Sequence, residues 1–153
     1  HYAHDPVLTV GCGCIEHWDE APVRDSFGLP SVPRILLQIF HCQTNETFLA
    51  ALESARRQRK ISSDGLRWLR SRVGVVGRSI IDFSRADADS GLESILRWRL
   101  RTHNLDVRSQ APVFGVGRVD FLIGGMLIVE VDGELGHEGA PSRHKDLVRD
   151  AYA

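Results

Sequence analysis

Residues 118–133, Arg-Val-Asp-Phe-Leu-Ile-Gly-Gly-Met-Leu-Ile-Val-Glu-Val-Asp-Gly, constrain the fold more than any other part of the chain. They read as two short strands around a glycine turn, with Asp120, Glu130 and Asp132 set inside otherwise apolar runs. A charge in a buried strand is costly unless it is paired or binds a metal. Glu130 and Asp132 are two apart on one strand, so they project from the same face, together with Met126 and Ile128. Leu127, Val129 and Val131 form the opposite, core-facing row. A strand that is apolar on both faces and ends in acid suits a central strand with a polar site at its C-terminal end.

Whether Asp120 joins that acidic face depends on the connection between the strands. A two-residue Gly124-Gly125 turn pairs Asp120 with Val129 and points it away from Glu130. A three-residue loop, Ile123 to Gly125, or a bulge pairs Asp120 with Ile128 and makes Glu130 its same-face diagonal neighbour. The odd-length loop or bulge is the expectation. Converging carboxylates without a cation repel one another and raise one another's pKa values. Magnesium or manganese takes oxygen ligands and relieves that repulsion. It also leaves positions for a phosphate oxygen and an attacking water. The structural alternative is that Asp132-Gly133 simply ends the strand and Asp120 pairs with Arg118 or another arginine.

Glu93, in Ser90-Gly-Leu-Glu93, has the spacing of a capping box, in which its carboxylate reaches back to the Ser90 N–H. It is equally a candidate for the acidic site, and the two roles can alternate. Downstream, Asp146, Arg149 and Asp150 fall on one helical face. They read either as a local salt bridge or as part of a site in which Arg149 or Lys145 meets a phosphate and His137 lies near a metal-bound water.

The rest of the chain is organised around this segment. Residues 1–30 read as irregular β, with strands at Val7–Val10 and Cys14–Trp18, followed by a loop marked by Pro22, Pro30 and Pro33. Helices are expected at 34–42, from Thr44 to about Lys60, from Ser62 or Ser63 with Leu66, Leu69 and Val73 inward, and at about 75–83. A polar joint at 86–90 marks a domain boundary, giving a mainly helical region 1–86 and a second domain 87–153. The second domain reads as a helix through about His103, strands at 106–113, 117–123 and 126–132, a loop, and a last helix from about Arg143.

Composition sets wider limits. At 153 residues, 42% hydrophobic and 25% charged, the chain is expected to be a soluble globular protein with one good core or a core plus an appendage. No apolar run approaches the ~20 residues that span a bilayer, and the start shows no secretory pattern, so a cytoplasmic location is expected. Cys12, Cys14 and Cys42 do not make a disulfide framework. With His17 and His41 they are compatible with zinc, but the C-x-C spacing favours reduced, strand-borne cysteines. The net charge of −1 argues against a uniformly basic nucleic-acid coat, not against a local basic face. Arg56, Arg57, Arg59, Lys60, Arg67 and Arg70, with Arg72 and Arg78, bias the helical region towards the basic. They read as a solvated helix surface or as a phosphate-contacting patch.

Together, Ser90-Gly-Leu-Glu93, Arg118-Val-Asp120-Phe, Ile128-Val-Glu130-Val-Asp132-Gly133, His137 and Asp146-Leu-Val-Arg149-Asp150 resemble the PD-(D/E)XK restriction-endonuclease-like superfamily. Within it they look closest to very-short-patch-repair-like endonuclease domains of the actinobacterial type, over roughly residues 88–153. The resemblance implies an α/β (α+β) fold with an α-β-β-β-α core and a function in DNA repair or restriction. It implies magnesium or manganese held by Asp120, Glu130, the Val131 carbonyl and Glu93, and DNA as the partner. It leaves the oligomeric state open, a homodimer included.

In two places the chain departs from that pattern. Asp132 stands where the superfamily carries a lysine, a role that Lys145 or a second metal on Asp132 would have to fill. A final core strand is expected after the last helix, whereas the chain ends at Ala153. Some relatives carry an upstream region like that of AbiEi-type antitoxins. The near-neutral net charge and the missing lysine give the competing expectation, a non-catalytic, antitoxin-like DNA-binding or regulatory protein that keeps the nuclease fold.

Overall fold

The computed structural model describes residues 30–131. Among them the architecture is α+β, with five helices followed by a three-stranded antiparallel sheet. The helices are α1 (Val32–Cys42), α2 (Asn45–Arg57), α3 (Ser63–Arg72), α4 (Val75–Phe83) and α5 (Gly91–Leu100). The strands are β1 (Val107–Val113), β2 (Gly117–Ile123) and β3 (Leu127–Val129), in the order β1-β2-β3. No helix among the described residues is long and apolar enough to cross a membrane.

Three of the five helices, α2, α3 and α5, start where a side chain takes an otherwise orphaned N–H. The hydroxyls of Thr44, Ser62 and Ser90 accept from the N–H groups of Thr47, Gly65 and Glu93, each at 3.1 Å. α1 instead carries a proline in its first turn, where no intrahelical donor is required. α2 stops at Arg57, short of the expected Lys60, because the chain turns through Arg59 at φ +54°. α5 ends at Leu100 and gives way to a turn.

The apolar faces of α1 to α4 meet in one core of Leu36, Phe48, Leu49, Leu52, Leu69, Val73, Ile80 and Ile81. Burying such side chains is the main favourable term in folding. α4 comes close enough that a Cβ on Gly77 would sit 2.5 Å from Val73 Cβ and 2.9 Å from the Phe40 ring. Only glycine fits there. Trp68 packs at the edge of this core, with the guanidinium groups of Arg34 and Arg72 over its ring at 5.2 and 5.0 Å.

α5 packs against α2, fastened by a buried ion pair. Glu53, 1% exposed, accepts from Arg97 and from the Arg85 N–H (2.7 Å). Arg97 also donates to the Phe83 carbonyl at 3.2 Å and lies 4.2 Å over the Phe83 ring. This lock fixes the helix that carries Glu93.

Both hairpins of the sheet close with three-residue connections. Val113 pairs with Gly117, and Ile123 pairs with Leu127. In the second hairpin Gly124 and Gly125 both have positive φ, +60° and +72°. They form the turn, and Met126 is the additional residue, its N–H bonded to the Ile123 carbonyl at 3.2 Å. The loop is odd-numbered, as expected, but it spans 124–126 rather than 123–125. The shift follows from chemistry: glycine takes a positive φ without strain, and Ile123 would not. One sheet face carries the buried Ala111, Val119 and Phe121. β3 is shorter than expected, and its ladder ends at Val129.

Candidate acidic site on the sheet

The register builds the site. Ser109 pairs with Phe121 and Ala111 with Val119, which sets Gln110 opposite Asp120. On the other side of β2, Phe121 pairs with Val129, so the next position sets Asp120 opposite Glu130. Gln110 on β1, Asp120 on β2 and Glu130 just past the end of β3 thus fall abreast in a row on the face opposite Val119 and Phe121. The expectation had Glu130 as a diagonal neighbour of Asp120. The one-residue shift of the loop makes it the direct one.

Where the β2–β3 ladder stops, the two acids replace it. The Asp120 N–H donates to Glu130 Oε2 at 2.9 Å, and the Val131 N–H donates to Asp120 Oδ2 at 2.9 Å. The pair therefore holds open strand ends by reciprocal side-chain bonds, a charge-assisted substitute for main-chain pairing.

Glu93 reaches the row from α5. Its own N–H is capped by Ser90, but its carboxylate does not complete a capping box on the Ser90 N–H. Instead Glu93 Oε2 accepts from the Asp89 N–H at 3.3 Å and from Gln110 Nε2 at 2.6 Å. Gln110 Nε2 lies 3.3 Å from Asp120 Oδ1 as well. Glu93 is 4% exposed. Burial pushes its carboxyl above the ordinary value, and the nearby Asp120 charge adds to this. The Gln110 amide, the Asp89 N–H and Ser90 pull the other way.

Gln110 is the residue that sequence reasoning missed. No motif marks it. The signal was arithmetic: three-residue connections after Val113 and after Ile123 set residues 110, 120 and 130 abreast. Asp132, His137, Lys145 and Arg149, together with Cys12, Cys14 and His17, lie outside the described residues. Cys42 ends α1, half-buried, beside an exposed His41.

The basic residues of the helical region divide into two groups. Arg56 donates to the Ser84 carbonyl and hydroxyl, and Arg57 bonds Asp89, with an ion pair of 3.1 Å. Arg67 pairs with Asp64, and Arg70 with Asp82. Arg59 and Lys60 stand exposed beyond the end of α2. Arg57 and Asp89 line a cavity of about 280 Å³ beside the start of α5. Asp89 also approaches Arg118, on β2, at 3.8 Å. The acidic row and one arm of the basic region therefore meet at Asp89.

Among the described residues, no three His, Cys, Asp or Glu side chains gather closely enough to enclose a metal ion. The donors that do converge are all oxygens, the set that suits a hard divalent cation. Glu93, buried with its carboxyl pushed up, is a group that a cation would relieve. Asp120, Glu130 and Glu93 offer carboxylate oxygens of the type that a hard divalent cation takes, without forming an enclosing group among the described residues. Comparison with known protein families, characterised proteins and solved structures returns no match to this chain.

Proposed function

We propose that the chain is a metal-dependent nuclease that hydrolyses DNA phosphodiester bonds. The observation that carries this reading is the row itself. The Asp120 N–H donates to Glu130 just past the end of β3, and the buried Glu93 is linked to Asp120 through Gln110. Asp120 and Glu130 are the proposed ligands of magnesium or manganese, completed by the Val131 carbonyl and Glu93. Such an ion, when bound, supplies charge stabilisation to a phosphoryl oxygen and lowers the pKa of a bound water. The chain's own part is to hold the carboxylates in place and to keep Glu93 out of water. In this reading Asp132 completes the acidic shell. Arg149 or Lys145 offsets charge that develops on phosphate, and His137 lies near the attacking water. Restriction or repair is the corresponding cellular task. Arg56, Arg57, Arg59, Lys60, Arg67 and Arg70 are the proposed contacts to the DNA backbone.

The test is cleavage of plasmid and oligonucleotide DNA with magnesium, manganese or EDTA. Asp120→Asn and Glu130→Gln are the variants of choice, because each keeps an acceptor for the backbone N–H that its carboxylate now caps. Loss of roughly 10²-fold or more in rate is expected from either variant. Undiminished cleavage by both would refute the site.

A second reading, a DNA-binding regulator without cleavage, is favoured by one observation. Asp132 stands where the resembled superfamily carries the lysine that stabilises developing charge. DNA binding that persists in EDTA and weakens with salt, with no cleavage under any divalent ion, selects this second reading.

A further inference from the structure

Between α3 and α4 the chain makes a projecting corner. Only Val73 and Gly74 separate the two helices. Gly77 is buried, and Val73 and the Phe40 ring leave no room beside it for a Cβ, so the corner is firmly seated. Most of it nevertheless faces water. From Ser71 to Ser79 only Val73 and Gly77 are buried. Val75 and Val76, in the first turn of α4, are 79% and 54% exposed. An exposed apolar point rimmed by charge has the pattern of a contact surface.

The rim carries one sign. Residues 65–81 hold Arg67, Arg70, Arg72 and Arg78 and no acid. The flanking acids, Asp64 and Asp82, are taken up by Arg67 and Arg70. Arg72 and Arg78 are exposed and make no ion pair among the described residues. Arg72 is held over the Trp68 ring at 5.0 Å, which fixes where its charge lies. A basic, convex surface suits an acidic, concave partner.

We propose that the α3–α4 corner docks in the major groove of duplex DNA, with Arg72 and Arg78 on the phosphate backbone and Val75 and Val76 against base edges. The proposal rests on DNA being the partner, and it names the surface that meets it. The major groove, about 12 Å wide, admits an α-helix, and apolar side chains there meet thymine methyl groups. α4 has no acid in its first turn, so nothing at its tip repels a phosphate. Arg56, Arg57, Arg67 and Arg70 are already bonded within the chain, so this corner offers the uncommitted charge. An acidic polypeptide would match that charge but has no groove of fixed width to take a projecting helix end.

The test is fluorescence anisotropy of a labelled AT-rich duplex with the full chain in EDTA, where binding is read without cleavage. Val75→Glu is the informative variant. Val75 is exposed, and an acid in the first turn stabilises a helix, so a loss of fold would not explain a loss of binding. The expected result is affinity lowered about 10-fold or more, with the thermal midpoint not lowered. Arg78→Gln should reduce the slope of log affinity against log salt by about 1. Wild-type affinity in Val75→Glu, or an unchanged slope in Arg78→Gln, would overturn the proposal while leaving DNA as the partner of other residues. Affinity for poly-glutamate equal to that for the duplex would overturn it in favour of an acidic polypeptide. A wild type that binds no duplex would defeat the DNA reading itself, and this surface with it.

Discussion

Replacing Arg97 with methionine tests the lock that holds the Glu93 helix to the helical region. Glu53 is 1% exposed, and its Oε1 accepts from Arg97 and from the Arg85 N–H. Its Oε2 has no partner among the described residues. Arg97→Met keeps most of the side-chain volume and leaves the carboxylate with a single backbone donor. Removing one member of a buried pair costs about 3–5 kcal/mol. The surviving Arg85 N–H argues for the lower part of that range. The lost contact with the Phe83 ring, now at 4.2 Å, adds about 1 kcal/mol. A loss of about 3–4 kcal/mol is therefore expected, against a typical total of about 5–15 kcal/mol for a folded domain.

The control is Glu53→Gln in the Arg97→Met background. It removes the stranded charge, keeps an acceptor for the Arg85 N–H, and should recover at least half of the loss. Urea unfolding followed by far-ultraviolet circular dichroism measures both, with the slope checked for constancy. A cost below about 1 kcal/mol for Arg97→Met would refute the reasoning, since a buried pair of this kind cannot be broken so cheaply. So would a double variant no more stable than the single one.

Two further predictions concern the row. Because Glu93 is pushed above its ordinary value of 4.5, the metal-free fold favours its protonated form. That contribution is full below the ordinary value and is lost as pH rises through the raised one. Melting curves of wild type and Glu93→Gln in EDTA should therefore coincide near pH 4.5 and separate towards neutral pH, with the variant the more stable; a gap that does not change with pH contradicts this. Deleting Leu127 with the 124–126 connection kept pairs Ile123 with Ile128, slides Asp120 opposite Val131 and sends Glu130 to the other face, so manganese binding should vanish. Met126→Ala keeps the loop length and should leave binding intact; equal titrations for the two variants would show that register does not make the site.

The helices were legible because their signals are local. Thr44, Ser62 and Ser90 announce their own caps, and the apolar spacing of Phe48, Leu49 and Leu52 announces the buried face. Parity was legible too: any odd connection puts Asp120 and Glu130 on one face, and the one formed here does. Which three residues form it was not, because that depends on where a positive φ is cheapest, and two adjacent glycines fix it one step later than the apolar pattern suggests. The partners of the arginines were hidden for a different reason. Arg56 and Arg57 find theirs 28 and 32 residues away, through the packing of α5 and the end of α4 on α2, and no spacing rule reaches that far.

Gln110 combines both difficulties. Its position follows from two registers at once, and its backbone conformation runs against its own preference. Local propensity and tertiary demand disagree at this one strand position, and the side chain placed there touches two of the acids that the sequence singles out. Natural sequences tend to be locally consistent except where a site requires otherwise. The conflict at Gln110 is thus an argument for the row as a functional site that is independent of the acid spacing, and it points to the same residues.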